Sequence, residues 1–308
     1  MLPAFKPVDV LDCSVHDPET MREFITGDVP IIFKGLDIGS CCEKWTPEYL
    51  MSHLKQPASI HHSTSPVLSF IEKNFRYKTM NLNEMIARAI EDDGEKYYLR
   101  SVGKNARVDP SNFIQDYPTI SNDFKIPEFL SSNPDWTMHS SVLRISSPNL
   151  TLWTHYDVYD NILVQVKGEK CVILFPPHDV EHLYVVGDKS RIPHFNRSSE
   201  ELIKDFPMAA NLTGYKATLV EGDTLYIPNY WWHSVTSETF SVSVNIFWPS
   251  PELIDLYEKK DVYGNKDPIP AALAVSSVEK CIQNLRQLPR KHQKFYALLL
   301  AGKLQQLD

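Results

Sequence analysis

Residues 150–175 read LTLWTHYDVYDNILVQVKGEKCVILF, and the reading of this stretch decides the fold. The runs Leu150 to Asp157, Asn161 to Val166 and Cys171 to Phe175 are short, apolar and rich in β-formers, with Lys167-Gly168-Glu169 between the last two. That is the pattern of strands joined by hairpin-type turns. In an extended strand residues i and i+2 share a face, so His155 and Asp157 converge while Tyr156 turns away. Two imidazoles and one carboxylate leave half of an iron(II) coordination sphere open. A second imidazole is offered by His233, inside PNYWWH at 228–233, on a distant strand that must fold back beside the first. An H-x-D tripeptide alone carries little weight in a chain with 11 histidines, so its surroundings decide.

Those surroundings continue the β pattern. Val142 to Ile145 precedes the stretch, and Tyr215 to Val220, Thr224 to Ile227 and Phe240 to Trp248 follow it, with Glu221-Gly222-Asp223 as a second hairpin-type turn. Regular short strands imply a sandwich or double-stranded β-helix, not a parallel βαβ sheet. The polar segment from His178 to Gly214 reads as a loop excursion near the mouth of the site. The fold class is therefore mainly β with α, in three regions: an N-terminal α/β region (1–138), a β-core (139–250) and C-terminal helices (251–308). In the first region, Asp17-Pro18 and Thr46-Pro47 open helices. Leu82, Met85, Ile86 and Ala89 mark a third by their 3.6-residue period. In the last region, Leu273, Val278, Ile282 and Leu285, then Phe295, Leu298, Leu299 and Leu304, give a helical pair with a broad apolar face.

Composition narrows the class. The net charge of −8 argues against a generally basic surface, so no DNA partner is expected, although Arg286, Arg290, Lys291 and Lys294 form a local basic run. Five cysteines without metal-ligand spacing point to reduced thiols. The first ten residues lack a basic start and an apolar run, and no stretch approaches ~18 apolar residues. The expectation is a soluble, unsecreted protein of the cytoplasm or nucleus, with no membrane partner.

Lys170 stands fifteen residues beyond His155, after the turn at Gly168. A lysine on an inward-facing strand beside an iron site needs an anionic partner. A dicarboxylate such as 2-oxoglutarate supplies one: its C1 carboxylate and keto oxygen chelate the metal, and its C5 carboxylate reaches the ammonium.

Here the chain resembles a known family. His155-Tyr156-Asp157, Asn161, Lys167-Gly168-Glu169-Lys170, Phe175-Pro176-Pro177, Gly222-Asp223 through Pro228, and Trp231-Trp232-His233 occur in order, as in the small JmjC-domain (cupin-like jelly-roll) hydroxylases. Further stretches, Lys96 to Ser101, Arg144 to Pro148, Leu152 to His155 and Tyr263 to Pro268, are similar to the branch that acts in tRNA wybutosine synthesis. The resemblance implies Fe(II) at His155, Asp157 and His233; 2-oxoglutarate and O2 as cosubstrates; and Lys170 and Tyr98 on the C5 carboxylate, with Asn161 and Asn245 lining its pocket. It also implies tRNA(Phe) as partner and a homodimer through the C-terminal helices. Where the asparaginyl branch carries a threonine three residues before the first ligand, this chain has Leu152, as the tRNA branch does. Arg144 and Arg100, on strands feeding the site, are candidate substrate contacts. Two other classes stay open at this point: a protein side-chain (asparaginyl-type) hydroxylase, and a catalytically silent β-barrel binding module.

Overall fold

The computed structural model describes residues 4–91, 93–132 and 136–306. Its N-terminal elements are β1 (Lys6–Pro7), β2 (Asp9–Asp12), α1 (Pro18–Ile25), β3 (Ile31–Lys34), α2 (Cys41–Lys44) and α3 (Pro47–His53). After them come β4 (Pro57–Ser63), β5 (Val67–Leu68), β6 (Arg76–Asn81), α4 (Leu82–Glu91), β7 (Lys96–Arg100), α5 (Phe113–Asp116) and α6 (Glu128–Ser131). The capping signals act as expected. Asp17 accepts the Thr20 N–H at 2.8 Å and Thr46 the Tyr49 N–H at 3.2 Å, each cap worth about 1 kcal/mol. Leu82, Met85, Ile86 and Ala89 of α4 are all fully buried.

The β-core comprises β8 (Ser140–Ser146), β9 (Leu150–His155), β10 (Asp160–Lys167), β11 (Lys170–Phe175), β12 (Val185–Val186), β13 (Lys189–Ser190), β14 (Tyr215–Leu219), β15 (Thr224–Ile227), β16 (Trp232–Ser237) and β17 (Ser241–Trp248). The larger sheet runs β2-β3-β15-β10-β17-β8-β7-β4-β6; the smaller runs β1-β14-β11-β16-β9-β13-β12, with β5 beside β9. From β8 to β11, and again from β14 to β17, each strand lies in the opposite sheet from its predecessor. This alternation is the double-stranded β-helix.

It also corrects the reading of the two glycine turns. β10 pairs with β15 and β17, and β11 with β14 and β16, so 167–169 and 221–223 are corners between sheets and not hairpins. Gly168 turns its corner at φ +72°, where a Cβ would lie 2.0 Å from the Phe240 carbonyl oxygen. Only glycine fits that approach.

Strand β10 is buried on both faces, which explains its apolar Ile162, Leu163, Val164 and Val166, interrupted only by the buried Gln165. Leu163 joins Val172, Leu174, Leu225 and Ile227 between the sheets. Ile162 and Val164 instead join Trp45, Leu50, Leu54 and Ile86 from the N-terminal helices. The segment after β11 is more than a loop excursion. Leu183, Ile192, Phe195, Leu202 and Leu212 are buried with Phe175 and Trp232, and Ser199–Asp205 forms a helix, α7, capped by Ser198. The alternation of polar and apolar residues there is too short to reveal this core in advance. It does reach the mouth of the site, because β13 pairs with β9 at Lys189 and His155.

The chain divides into two compact units. One reaches Pro251 and includes Val262–Asn265; the other holds Glu252–Asp261 and the chain from Lys266 onward. The second unit contains α8 (Ile269–Leu285) and α9 (Arg290–Leu304), neither with a buried residue. Among the described residues no helix is long and apolar enough to cross a membrane.

Candidate metal centre

His155 ends β9 and His233 sits near the start of β16, where the antiparallel register sets the two residues opposite one another. Their rings lie 4.4 Å apart between centroids. His155 Nδ1 is 2.8 Å from the Trp153 carbonyl and His233 Nδ1 is 3.0 Å from the Trp231 carbonyl. Each Nδ1–H therefore donates to the residue two before it, and each Nε2 keeps its lone pair for a metal. Burial, followed by the neighbouring His233, lowers the His155 pKa from 6.5 to about 4, so the imidazole is neutral at neutral pH, the ligating form.

Asp157 arrives by a different route from the one strand alternation implies. The strand stops at His155. The Tyr156 N–H turns to the Asp188 carbonyl and the Asp157 carbonyl accepts the Tyr230 N–H at 2.8 Å. These bonds pull the chain off the ladder and into a turn, and Tyr230 itself takes a left-handed φ of +61°. The turn still delivers the carboxylate: Asp157 Oδ2 is 3.6 Å from His233 Nε2. One ligand atom from each of His155, Asp157 and His233 lies within 4.8 Å of the others. The donor set, two neutral imidazoles and a carboxylate converging on one side, fits a divalent transition metal with positions left open.

The same cleft is walled by Tyr98, Arg144, Asn161, Lys170 and Asn245 together with the triad. It lies between the two sheets. Lys170, at the start of β11, is buried and donates to the Ser243 hydroxyl across the gap. Burial, and secondly the positive charge of Arg144, hold its pKa well below the usual lysine value. Asn245 donates to Asn161 Oδ1 at 3.0 Å, while its own Oδ1 is buried without a hydrogen-bond partner. Arg144 donates to the Tyr98 hydroxyl, and its Nε is likewise buried and unpartnered. Buried polar atoms without partners are few in native structures, and two of them gather here beside an ammonium that, among the described residues, has no carboxylate in ion-pair contact. The cleft is built for an anionic, hydrogen-bonding ligand.

Arg100 is placed differently. It pairs in register with Arg144, but its guanidinium lies over the Tyr263 ring at 5.1 Å, and it lines a neighbouring depression with Val102 and Gly103. Ser243, the hydrogen-bond partner of Lys170, is a residue that sequence reasoning passed over. Its signal was the period-2 recurrence of Ser241, Ser243 and Asn245, polar side chains on one face of a wholly buried strand.

Comparison with known proteins agrees with this geometry. A family model described as a cupin-like domain matches residues 17–253. The chain is 41% identical over 303 residues to a tRNA wybutosine-synthesizing protein 5 of Homo sapiens, covering 94% of this chain and 93% of that one. With the Danio rerio protein of the same name it shares 38% identity over 302 residues, 94% of this chain and 90% of that one. It is also 36% identical over 295 residues to a tRNA wybutosine-synthesizing protein 4 of Aspergillus oryzae, covering 94% of this chain but 28% of that longer protein.

Proposed function

The chain belongs to the cupin-like domain family, and from that premise we propose that it is an Fe(II)- and 2-oxoglutarate-dependent hydroxylase acting on the wybutosine precursor in tRNA(Phe). The observation that carries this reading is the buried ammonium of Lys170, which among the described residues has no carboxylate in ion-pair contact, in the same cleft as the His155, Asp157 and His233 triad. A metal site alone would fit many chemistries. A second fixed cation suits a cosubstrate with a carboxylate at each end.

When bound, iron(II) would supply the site at which dioxygen, the oxidant, is activated, so that one oxygen atom ends in succinate as 2-oxoglutarate loses CO2 and the other ends in the hydroxyl of the substrate. The chain's own residues do the rest. His155, Asp157 and His233 fix the metal on one side and leave the other open. Lys170 and the Ser243 and Tyr98 hydroxyls orient the distal carboxylate, and the Asn161–Asn245 pair lines the cosubstrate's path. Leu163, Ile227 and Val235 close the wall with apolar surface and keep water out. Arg144, which donates to the Tyr98 hydroxyl, lines the same cavity as a candidate substrate contact. Charge balance supports the arrangement: the metal's two charges meet Asp157 and one cosubstrate carboxylate, and Lys170 meets the other.

The tRNA substrate rests on the names of the relatives and on their coverage of most of this chain. Two copies pair through α8 and α9, a reading supported by the exposed apolar side chains of both helices. The reaction belongs in the cytoplasm or nucleus, in keeping with five free cysteines.

The test is mass spectrometry of anticodon-loop fragments from tRNA(Phe) carrying the wybutosine precursor, incubated with the protein, iron(II), ascorbate and 2-oxoglutarate. A gain of one oxygen atom is expected. No gain, with succinate formed on a peptide instead, would transfer the reading to a protein side-chain hydroxylase.

A further inference from the structure

The segment 70–78 reads FIEKNFRYK, three aromatic rings interleaved with Lys73, Arg76 and Lys78. It leaves β5, which lies parallel to β9 with Leu68 opposite Leu152, and runs into β6 at the edge of the larger sheet. Its rings form a continuous ledge. Phe70 and Phe75 lie 5.6 Å apart, Phe70 is 4.9 Å from Trp153, and Phe75 lies parallel to Trp153 at 6.1 Å and 9°. Tyr77 meets Phe75 edge-on at 5.8 Å.

One end of this ledge touches the metal centre, because the Trp153 ring is 5.8 Å from that of His155. Its base is anchored: Phe75 and Trp153 pack on the buried cluster of Leu68, Tyr98, Leu150 and Leu152. Its outer rings are open, with Phe70 40% and Tyr77 62% exposed. Cations flank it. Lys189, which is paired with Asp188, sits 5.0 Å over Phe70, and Lys73, Arg76 and Lys78 are exposed along the segment.

Packing explains the buried rings but not the open ones. Rings held rigid from below, exposed above and interleaved with basic side chains are what a single-stranded nucleic acid requires: π-faces for its bases and positive charge for its phosphates.

We infer that Phe70 and Tyr77, backed by Phe75 and Trp153, form a stacking platform for an unpaired base of an RNA loop, next to the base that enters the metal cleft. This rests on the tRNA reading above and deepens it. The net charge of −8 is no obstacle, since the platform carries its own local cations. Stacking on the ledge pins the loop while the neighbouring base leaves the stack for the cleft.

The experiment is fluorescence anisotropy with a labelled anticodon stem–loop RNA hairpin, comparing the native chain with Phe70→Leu, Tyr77→Leu, the double variant and Phe70→Trp. Leucine keeps apolar bulk and removes the π-face, so a merely packed surface tolerates it. The double leucine variant is expected to bind about tenfold or more weakly, and Phe70→Trp within about twofold of native. Thermal unfolding checks the fold, and Tyr77→Leu, at the most exposed ring, carries the test if the double variant fails to fold. Equal affinity of native and leucine variants overturns the platform. A native chain that hydroxylates the RNA while the leucine variants bind it equally well removes this inference alone; a native chain with no affinity for the hairpin removes the tRNA reading with it.

Discussion

Lys170 on the smaller sheet donates to the hydroxyl of Ser243 on the larger one, and among the described residues no carboxylate joins them. A neutral hydroxyl cannot offset an ammonium withdrawn from water. The structure thus holds a charge that works against folding until a ligand anion meets it.

Replacing that ammonium is expected to trade activity for stability. Burial and Arg144 lower the pKa of Lys170 in the folded chain. The unfolded chain therefore binds this proton more tightly, and at neutral pH the charged lysine opposes folding. Lys170→Met should raise the unfolding midpoint of the cosubstrate-free protein, by about 1–3 kcal/mol of stability. It should also abolish the thermal stabilisation that 2-oxoglutarate is expected to give the native chain. A variant less stable than native would mean the ammonium has a partner that keeps it content.

Removing a metal ligand should be more severe than any change in the cleft wall. His155→Ala or Asp157→Ala leaves two donors where three converge within 4.8 Å. Altering groups that only orient ligands already costs about 10–100-fold, so turnover of 2-oxoglutarate to succinate should fall by more than about a hundredfold. A chelator should do the same to the native chain, reversibly on adding iron(II). Full succinate formation by either variant would show the ligands to be elsewhere.

Why some of this was legible in the sequence and some was not follows from the range of each interaction. That His155, Asp157 and His233 converge, and that Lys170 lines the same cleft, was legible because a metal would demand those side-chain types and a buried charge would demand an answer. The Asp17 and Thr46 caps are local, and the chain formed them as read. The corners at Gly168 and Gly222 were misjudged because a tight turn between two strands looks alike whether the strands pair or part. Sheet membership is decided by β14 and β15, some fifty residues onward in the chain. The turn that presents Asp157 depends on Tyr230 and Asp188, neither of which its own tripeptide reveals. The small core beneath residues 183–212 closes only against Phe175 and Trp232.

A buried histidine outside the His155, Asp157 and His233 triad should make the protein acid-sensitive. His61 is 7% exposed, its Nδ1 is 3.3 Å from the Tyr98 carbonyl, and the rings of Phe75, Tyr77 and Tyr98 surround it. Its pKa falls from 6.5 to about 4, chiefly by burial, with Arg100 and Arg144 opposing its charge. The folded pKa is the lower one, so the stabilising effect is present above 6.5 and is lost as pH falls toward 4. Urea unfolding at pH 7 and pH 5 should show the native chain losing about 2 kcal/mol more than His61→Phe. Identical losses in the two proteins would assign the acid sensitivity to other groups.

The last expectation concerns the helical unit. Leu273 is 63% exposed on α8, and Phe295 and Leu298 are 62% and 65% exposed on α9. Single exposed apolar residues are ordinary, but so many on two successive helices with no buried residue point to a surface that is covered in the working protein. Burying each such side chain is worth about 1.5–3 kcal/mol, so a few suffice to hold two copies together. Sedimentation equilibrium at micromolar concentration should therefore find the native chain at twice its own mass. Leu273→Glu with Leu298→Glu should return it to a single copy, because two charges would have to be buried at the contact. The metal-binding unit should still melt cooperatively in that variant, since its core clusters lie in the other unit. A native protein that sediments as one copy would leave these helices to a different partner.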